Sequence, residues 1–461
     1  MSKISFFSRY IGIYLAIVLI TTIWGLVQYP YYQVILNAPI NQIEKLPIIL
    51  AFLRSHGIFM EEDLIASLWM IARIVKGSLL EILYTFVFSY VLYYWFSRDI
   101  VKNLESIHKA IYGSLVIIFL YSSFEIIYLA GNETAQQILT DITPFIHSVK
   151  DNQTWWPPLL WKGQLRSIFS EPSYFGMYAS FAMPFLWYDI LKSNRWKSVA
   201  VITTIFTFLL FLTKARTAFA LFLAESVLLL LFWLFLHKSF CWKKVVCIFL
   251  CGLIAFVGAN LFINKYMLSE QEGRRQVQKQ EITLGKTMTS YVDDNAKTIA
   301  NPQKRSNGAR FSVILANISI GKAHPFLGVG SGLKDAYITD YLPDMAADNQ
   351  EVQMWKRNQK EKGILKSGYP NLCEYATRFS ETGIIGLVAF LFPMFFLIYC
   401  LVKKIRNTLP ENRLTYIMFL ISFLGICATG LGDSISTTYC YWILLGLGYA
   451  LCFENEAHVV K

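Results

Sequence analysis

Apolar runs of about 15 to 20 residues recur along this chain, each long enough to cross the hydrocarbon core of a bilayer as a helix. A single long polar segment, residues 264–382, interrupts them and gathers most of the turn-forming and charged residues of the second half. With 55% hydrophobic and only 16% charged residues in 461, the chain is too apolar for a soluble globular protein. An all-α polytopic membrane protein is expected, with the polar segment capping the bundle.

The net charge of +11 does not point to nucleic acid. The basic residues cluster in short linkers between apolar runs, where they set orientation by the positive-inside rule. Ten spans are read at residues 11–27, 77–96, 110–129, 173–190, 199–212, 217–236, 245–263, 383–402, 414–428 and 437–452. Arg98 and Lys102, Lys192 to Lys197, Lys238 to Lys244, and Lys403 to Arg413 mark the inside linkers. Both termini are then cytoplasmic, and one large extracytoplasmic loop joins helices 7 and 8. The chain divides accordingly into a membrane bundle, 1–263, the loop, 264–382, and the closing helices with a short tail, 383–461. Residues 28–76 read as interfacial, and 131–170 as a second outer segment carrying Trp155, Trp156 and Trp161 at the headgroup level. The first apolar run lacks a small-residue cleavage site and reads as a retained helix.

The eight cysteines form neither a disulfide framework nor a C-x-x-C site, and the six histidines show no ligand spacing. Neither metal nor cofactor is expected. Three arginines fall on the outer side against the positive-inside bias: Arg166, Arg216 and Arg310. Arginine is always charged, and its planar fork grips phosphate at two points. Arg216 lies in the four-residue turn Lys214-Ala215-Arg216-Thr217, where snorkelling to headgroups is the plainer alternative. Glu171 precedes Pro172 at a helix entrance, as a cap or as a proton acceptor. His324 reads as a proton acceptor, an electrostatic donor to phosphate, or a cap at a helix end. Gly328, Gly330 and Gly332 follow no strand, so they read as a tight turn beside the membrane rather than a nucleotide loop.

Four motifs together resemble O-antigen polymerases and ligases. They are Arg166-x-x-x-x-Glu171-Pro172-Ser173-x-x-Gly176, the Thr213-x-x-Arg216-Thr217 turn, Arg310 followed by His324-Pro325-x-x-Gly328-Val329-Gly330, and Glu381-Thr382-Gly383-Ile384-Ile385-Gly386. The resemblance covers about residues 166–393. It implies a glycosyltransferase C-like bundle in the bacterial inner membrane that joins glycans carried on undecaprenyl diphosphate, without metal or nucleotide sugar. It implies that Arg216 and Arg310, with Arg166 as a third, hold the diphosphate; for the base the sequence itself offers Glu171 or His324, and the resemblance does not choose between them. Whether a polysaccharide chain-length regulator binds is left open. Ligases of this kind carry a His-Asn pair before the last motif; here Tyr369-Pro370-Asn371-Leu372-Cys373-Glu374 has no histidine, which favours polymerase. A transporter or flippase, the rival class, is disfavoured by the absence of inverted repeats and of paired broken helices. A receptor with the loop as interaction domain is distinguished by activity on lipid-linked sugars.

Overall fold

The computed structural model describes residues 3–36, 46–59, 62–147, 159–267 and 305–453. Among these the regular structure is entirely helical. The helices are α1 (Lys3–Val27), α2 (Tyr32–Leu36), α3 (Leu46–Ser55), α4 (Glu62–Ile82), α5 (Phe88–Phe96), α6 (Ile100–Leu129), α7 (Glu133–Ile146), α8 (Pro172–Lys192), α9 (Trp196–Leu212), α10 (Arg216–Phe235), α11 (Trp242–Tyr266), α12 (Arg305–Ala323), α13 (Lys334–Ile338), α14 (Gln350–Lys362), α15 (Glu374–Asn407), α16 (Arg413–Thr429) and α17 (Tyr439–Phe453). A π-helical turn, Leu83–Val87, joins α4 to α5.

The protein is an all-α, multi-pass membrane protein. A helix stands at each of the ten expected positions, but ten crossings do not follow from length and composition. Among the described residues seven helices are long and apolar enough to span, while Trp196–Leu212 and Tyr439–Phe453 are shorter apolar helices. Other expectations need correction. The interfacial segment ends at Glu62, because α4 runs without a break into the span expected from residue 77. The second outer segment contains α7, capped by Asn132 accepting from the Ala135 N–H at 2.9 Å. Trp155 and Trp156 lie outside the described residues.

The described part of the polar segment is largely helical. In α12, Ala309, Val313, Ala316 and Ile320 recur at helical spacing and are fully buried. They share a core with Leu26, Tyr29, Tyr337, Ile338, Val352 and Trp355. The apolar stretch from Phe311 to Ile320 reads as helical in the sequence, and α12 contains it.

The chain forms two compact units. One comprises Met1–Trp95, Ala300–Leu397 and Gly430–Asn455; the other comprises Phe96–Ile299, Ile398–Thr429 and Glu456–Lys461. In the first, aromatic side chains lock α1 to its neighbours, with Tyr14 and Phe86 rings 4.5 Å apart and Phe86 and Trp442 rings 4.8 Å apart. Pro393 inside α15 has no N–H for the Ala389 carbonyl, and the Tyr10 hydroxyl donates to that carbonyl instead at 2.6 Å. In the second unit α8 is the central helix, buried along nearly its whole length. Gly176 lets it approach α10 so closely that a Cβ there would lie 2.6 Å from that of Ala218.

Candidate active site

Glu374, Arg378 and Glu381 stand at i, i+4 and i+7 in α15, so their side chains share one helix face. Arg378 is buried. Its Nε donates to Glu374 Oε1 at 2.6 Å, its Nη2 donates to Glu81 and to Ser436 Oγ, and its guanidinium lies 4.9 Å from the Phe390 ring. Glu374 also accepts from Ser434 Oγ at 2.8 Å and Ser436 Oγ at 2.6 Å. The backbone N–H of Glu374 reaches the Gly430 carbonyl at 2.9 Å, so one cation and one carboxylate tie α4, α15 and residues 430–436 together.

Three residues after Arg378, a backbone break positions Glu381. Gly383 has φ 61° and ψ −166°, a conformation essentially reserved for glycine. An unbroken helix would bond Ile384 N–H to Ser380 C=O and Ile385 N–H to Glu381 C=O. The 325–330 turn takes over all four groups instead. Val329 N–H donates to Ser380 C=O at 3.0 Å and Gly330 N–H to Glu381 C=O at 2.8 Å; Ile384 N–H reaches Pro325 C=O at 2.8 Å and Ile385 N–H reaches Phe326 C=O at 3.4 Å. A Cβ on Gly328 would lie 2.4 Å from the Glu381 carbonyl carbon, and one on Gly383 2.3 Å from that of Phe326. The helix expected to start at Gly383 therefore starts at Glu374 and is broken at Gly383. The two glycine motifs of the sequence are the two sides of one joint.

Beneath this joint the first unit encloses a cavity of about 900 Å³. Its lining includes the cations Arg73, Lys334 and Arg378 and the carboxylates Glu81, Asp335 and Glu381. Glu381 is buried, and its Oε1 accepts the Gly332 N–H at 3.1 Å. Lys334 is buried and donates to Asp335 Oδ1 at 2.8 Å. Burial works against its ammonium, but the charges of Asp335 and Glu381 outweigh that and hold Lys334 above the usual lysine range. The Arg73 guanidinium lies 5.4 Å from the Trp69 ring.

None of the five residues singled out from the sequence is among those lining this cavity. In the first unit, Arg310 donates to the Gly432 carbonyl, and His324 packs its ring edge-on to Tyr337 at 5.8 Å. The second unit holds the other three. Arg166 is buried, with Nη2 donating to the Leu159 carbonyl at 2.7 Å and Nη1 reaching Ser170 at 3.5 Å. Burial lowers its pKa. The backbone N–H groups of Arg166 and Ser167 both donate to Glu125, at 2.9 and 2.6 Å, so the segment entering α8 is pinned by a buried carboxylate. Glu171 is the N-cap residue of α8 but makes no side-chain cap bond; it accepts from Ser173 Oγ at 2.7 Å. Arg216 is half-buried at the first position of α10, after Lys214 at φ 51°. Burial lowers the Lys214 pKa.

Residues 199–391 match the O-antigen ligase family. The match supports a place in the O-antigen polymerase and ligase superfamily, and with it a membrane enzyme of glycan assembly; it does not separate polymerase from ligase. It spans the cavity walls that carry Lys334, Arg378 and Glu381. No curated protein and no solved structure matches the chain.

Proposed function

We propose that this chain polymerises oligosaccharide repeat units carried on undecaprenyl diphosphate, on the outer face of the bacterial inner membrane. The observation that carries this reading is the cavity of the first unit, because two of its walls lie in the family-matched stretch and bring carboxylates, cations and hydroxyls around a space of saccharide size. A lipid diphosphate is already an activated leaving group. It needs charge neutralisation more than it needs a nucleophilic side chain, and guanidinium groups supply that. Arg216 and Arg310 are the proposed diphosphate ligands. Arg166, with its guanidinium on the carbonyls of Leu159 and Ser170, is proposed to shape the entrance to α8 instead. The acceptor hydroxyl attacks the anomeric carbon from the face opposite the diphosphate and inverts it.

The matched family's description keeps ligase as the second reading. The banding of surface polysaccharide in a deletion strain separates them. A polymerase deletion leaves single-repeat product, whereas a ligase deletion accumulates full-length polymer on the lipid diphosphate. An unchanged pattern, with the gene shown to be expressed in the parent, contradicts both. In the same strain Arg216→Ala is expected to abolish polymer and Arg216→Lys to restore it only in part, because a point charge does not replace the two-point fork.

A further inference from the structure

We infer that Glu381 is the base that takes the proton from the acceptor hydroxyl, and that the cavity it lines seats the acceptor glycan rather than the diphosphate. The inference rests on the functional reading above and assigns the parts of its site. Its first ground is the position of the carboxylate. Glu381 is 7% exposed and lines the cavity. The Gly383 break and the 325–330 turn fix its backbone, and Gly332 N–H holds Oε1. Among the described residues, Oε2 makes no hydrogen bond, which leaves one oxygen to receive a hydroxyl proton.

The second ground is charge. Arg73, Lys334 and Arg378 line the cavity together with Glu81, Asp335 and Glu381, and Glu374 accepts from Arg378 Nε. The cations are matched by acids, and Arg378 is already bonded to two of them. A dianionic diphosphate gains little in such surroundings. An uncharged, hydroxyl-rich sugar finds both donors and acceptors, with Ser331, Asn371, Thr377 and Thr437 adding neutral ones.

The third ground is that neither alternative, His324 or Glu171, is among the residues lining the cavity. In the step, the acceptor O–H bond gives its proton to Glu381. The oxygen's electron pair forms the bond to the anomeric carbon, and the bond from that carbon to the diphosphate breaks, its electron pair leaving on the phosphate oxygen. Glu381 then passes its proton to water.

The test uses the full-length protein in liposomes with lipid-diphosphate-linked repeat units. Glu381→Gln keeps an oxygen for Gly332 N–H, so it is expected to melt close to the wild type while turnover falls about 100- to 10,000-fold. Glu381→Ala with added formate, a carboxylate small enough for the vacated space, is expected to recover part of that turnover; formate is expected to do nothing for Glu381→Gln. Wild-type turnover in Glu381→Gln overturns the assignment, as does a Glu381→Ala protein indifferent to formate. Inorganic diphosphate, followed by the rise in melting temperature that it gives, is expected to bind Arg216→Ala more weakly than the wild type and Glu381→Gln as tightly as the wild type. Equal loss of binding in Glu381→Gln would place the diphosphate in the cavity and overturn the second half of the inference. A wild-type protein without activity on the lipid-linked units refutes the functional reading, a result separate from these.

Discussion

Arg378 carries more of the first unit's polar structure than any residue singled out from the sequence. Its guanidinium bonds Glu374, Glu81 and Ser436 and covers the Phe390 ring, so truncation leaves two carboxylates uncompensated. Arg378→Ala is expected to cost about 3–5 kcal/mol, read as the loss of thermal stability in detergent. Arg378→Ala combined with Glu374→Ala is expected to cost less than the sum of the two, because the second change removes one stranded charge. Lys334 gives a pH prediction. Its folded-state pKa is raised above the ordinary lysine value of 10.5, so its stabilising contribution is complete below about that pH and is lost as pH rises through the folded value. The melting temperature lost in Lys334→Met should therefore stay constant from pH 7 to 9 and shrink only in stronger alkali; a gap that closes by pH 8 contradicts the assignment. Glu374 and Arg378 were legible as an i, i+4 pair, but reading 264–382 as loop removed the helix on which that spacing has meaning. Arginines expected on the outer side were legible as unusual. Their partners were not, because Leu159, Ser170 and Gly432 contribute backbone carbonyls that no side-chain pattern announces.

The joint between the 325–330 turn and α15 ranks glycine substitutions. At Gly383 a methyl group meets the Phe326 carbonyl in a backbone conformation closed to other residues, so Gly383→Ala is expected to abolish folded yield. Gly332, at φ 74° with nothing within 4 Å of an added Cβ, faces backbone strain alone, and Gly332→Ala is expected to cost only about 1–2 kcal/mol. Equal losses in the two variants contradict the joint. Tyr10→Phe strips the Ala389 carbonyl of its donor beside Pro393, with an expected loss of about 1–3 kcal/mol. At this scale the apolar runs announced the helices well, since a membrane core leaves the backbone few other forms. The starts were less visible. Residues 62–76 and 374–382 carry enough charge to hide helices that continue into apolar segments, whereas the apolar stretch 311–320 of α12 was legible as helix.

For the whole molecule, we propose from the positive-inside distribution that both termini are cytoplasmic and that the segment around Gly363 is outside. Alkaline phosphatase inserted at Gly363 should be active and the same enzyme fused after Lys461 inactive; the reverse pattern contradicts the orientation and the outer-face chemistry with it. The similarity of residues 199–391 to the O-antigen ligase family was legible from motif order, and the turn at 325–330 and the Glu381 to Gly386 stretch are physically one structure. The cavity was not legible, since its lining comes from residues 29 to 439 and only packing brings them together. The central claim is that this membrane enzyme lengthens lipid-linked glycans. The most direct measurement is a reconstitution of the purified chain in liposomes with a single substrate, undecaprenyl diphosphate bearing one repeat unit. The account predicts a ladder of products at whole-repeat intervals with release of undecaprenyl diphosphate, and loss of the ladder in Arg216→Ala. Substrate left at one repeat by correctly folded protein contradicts it.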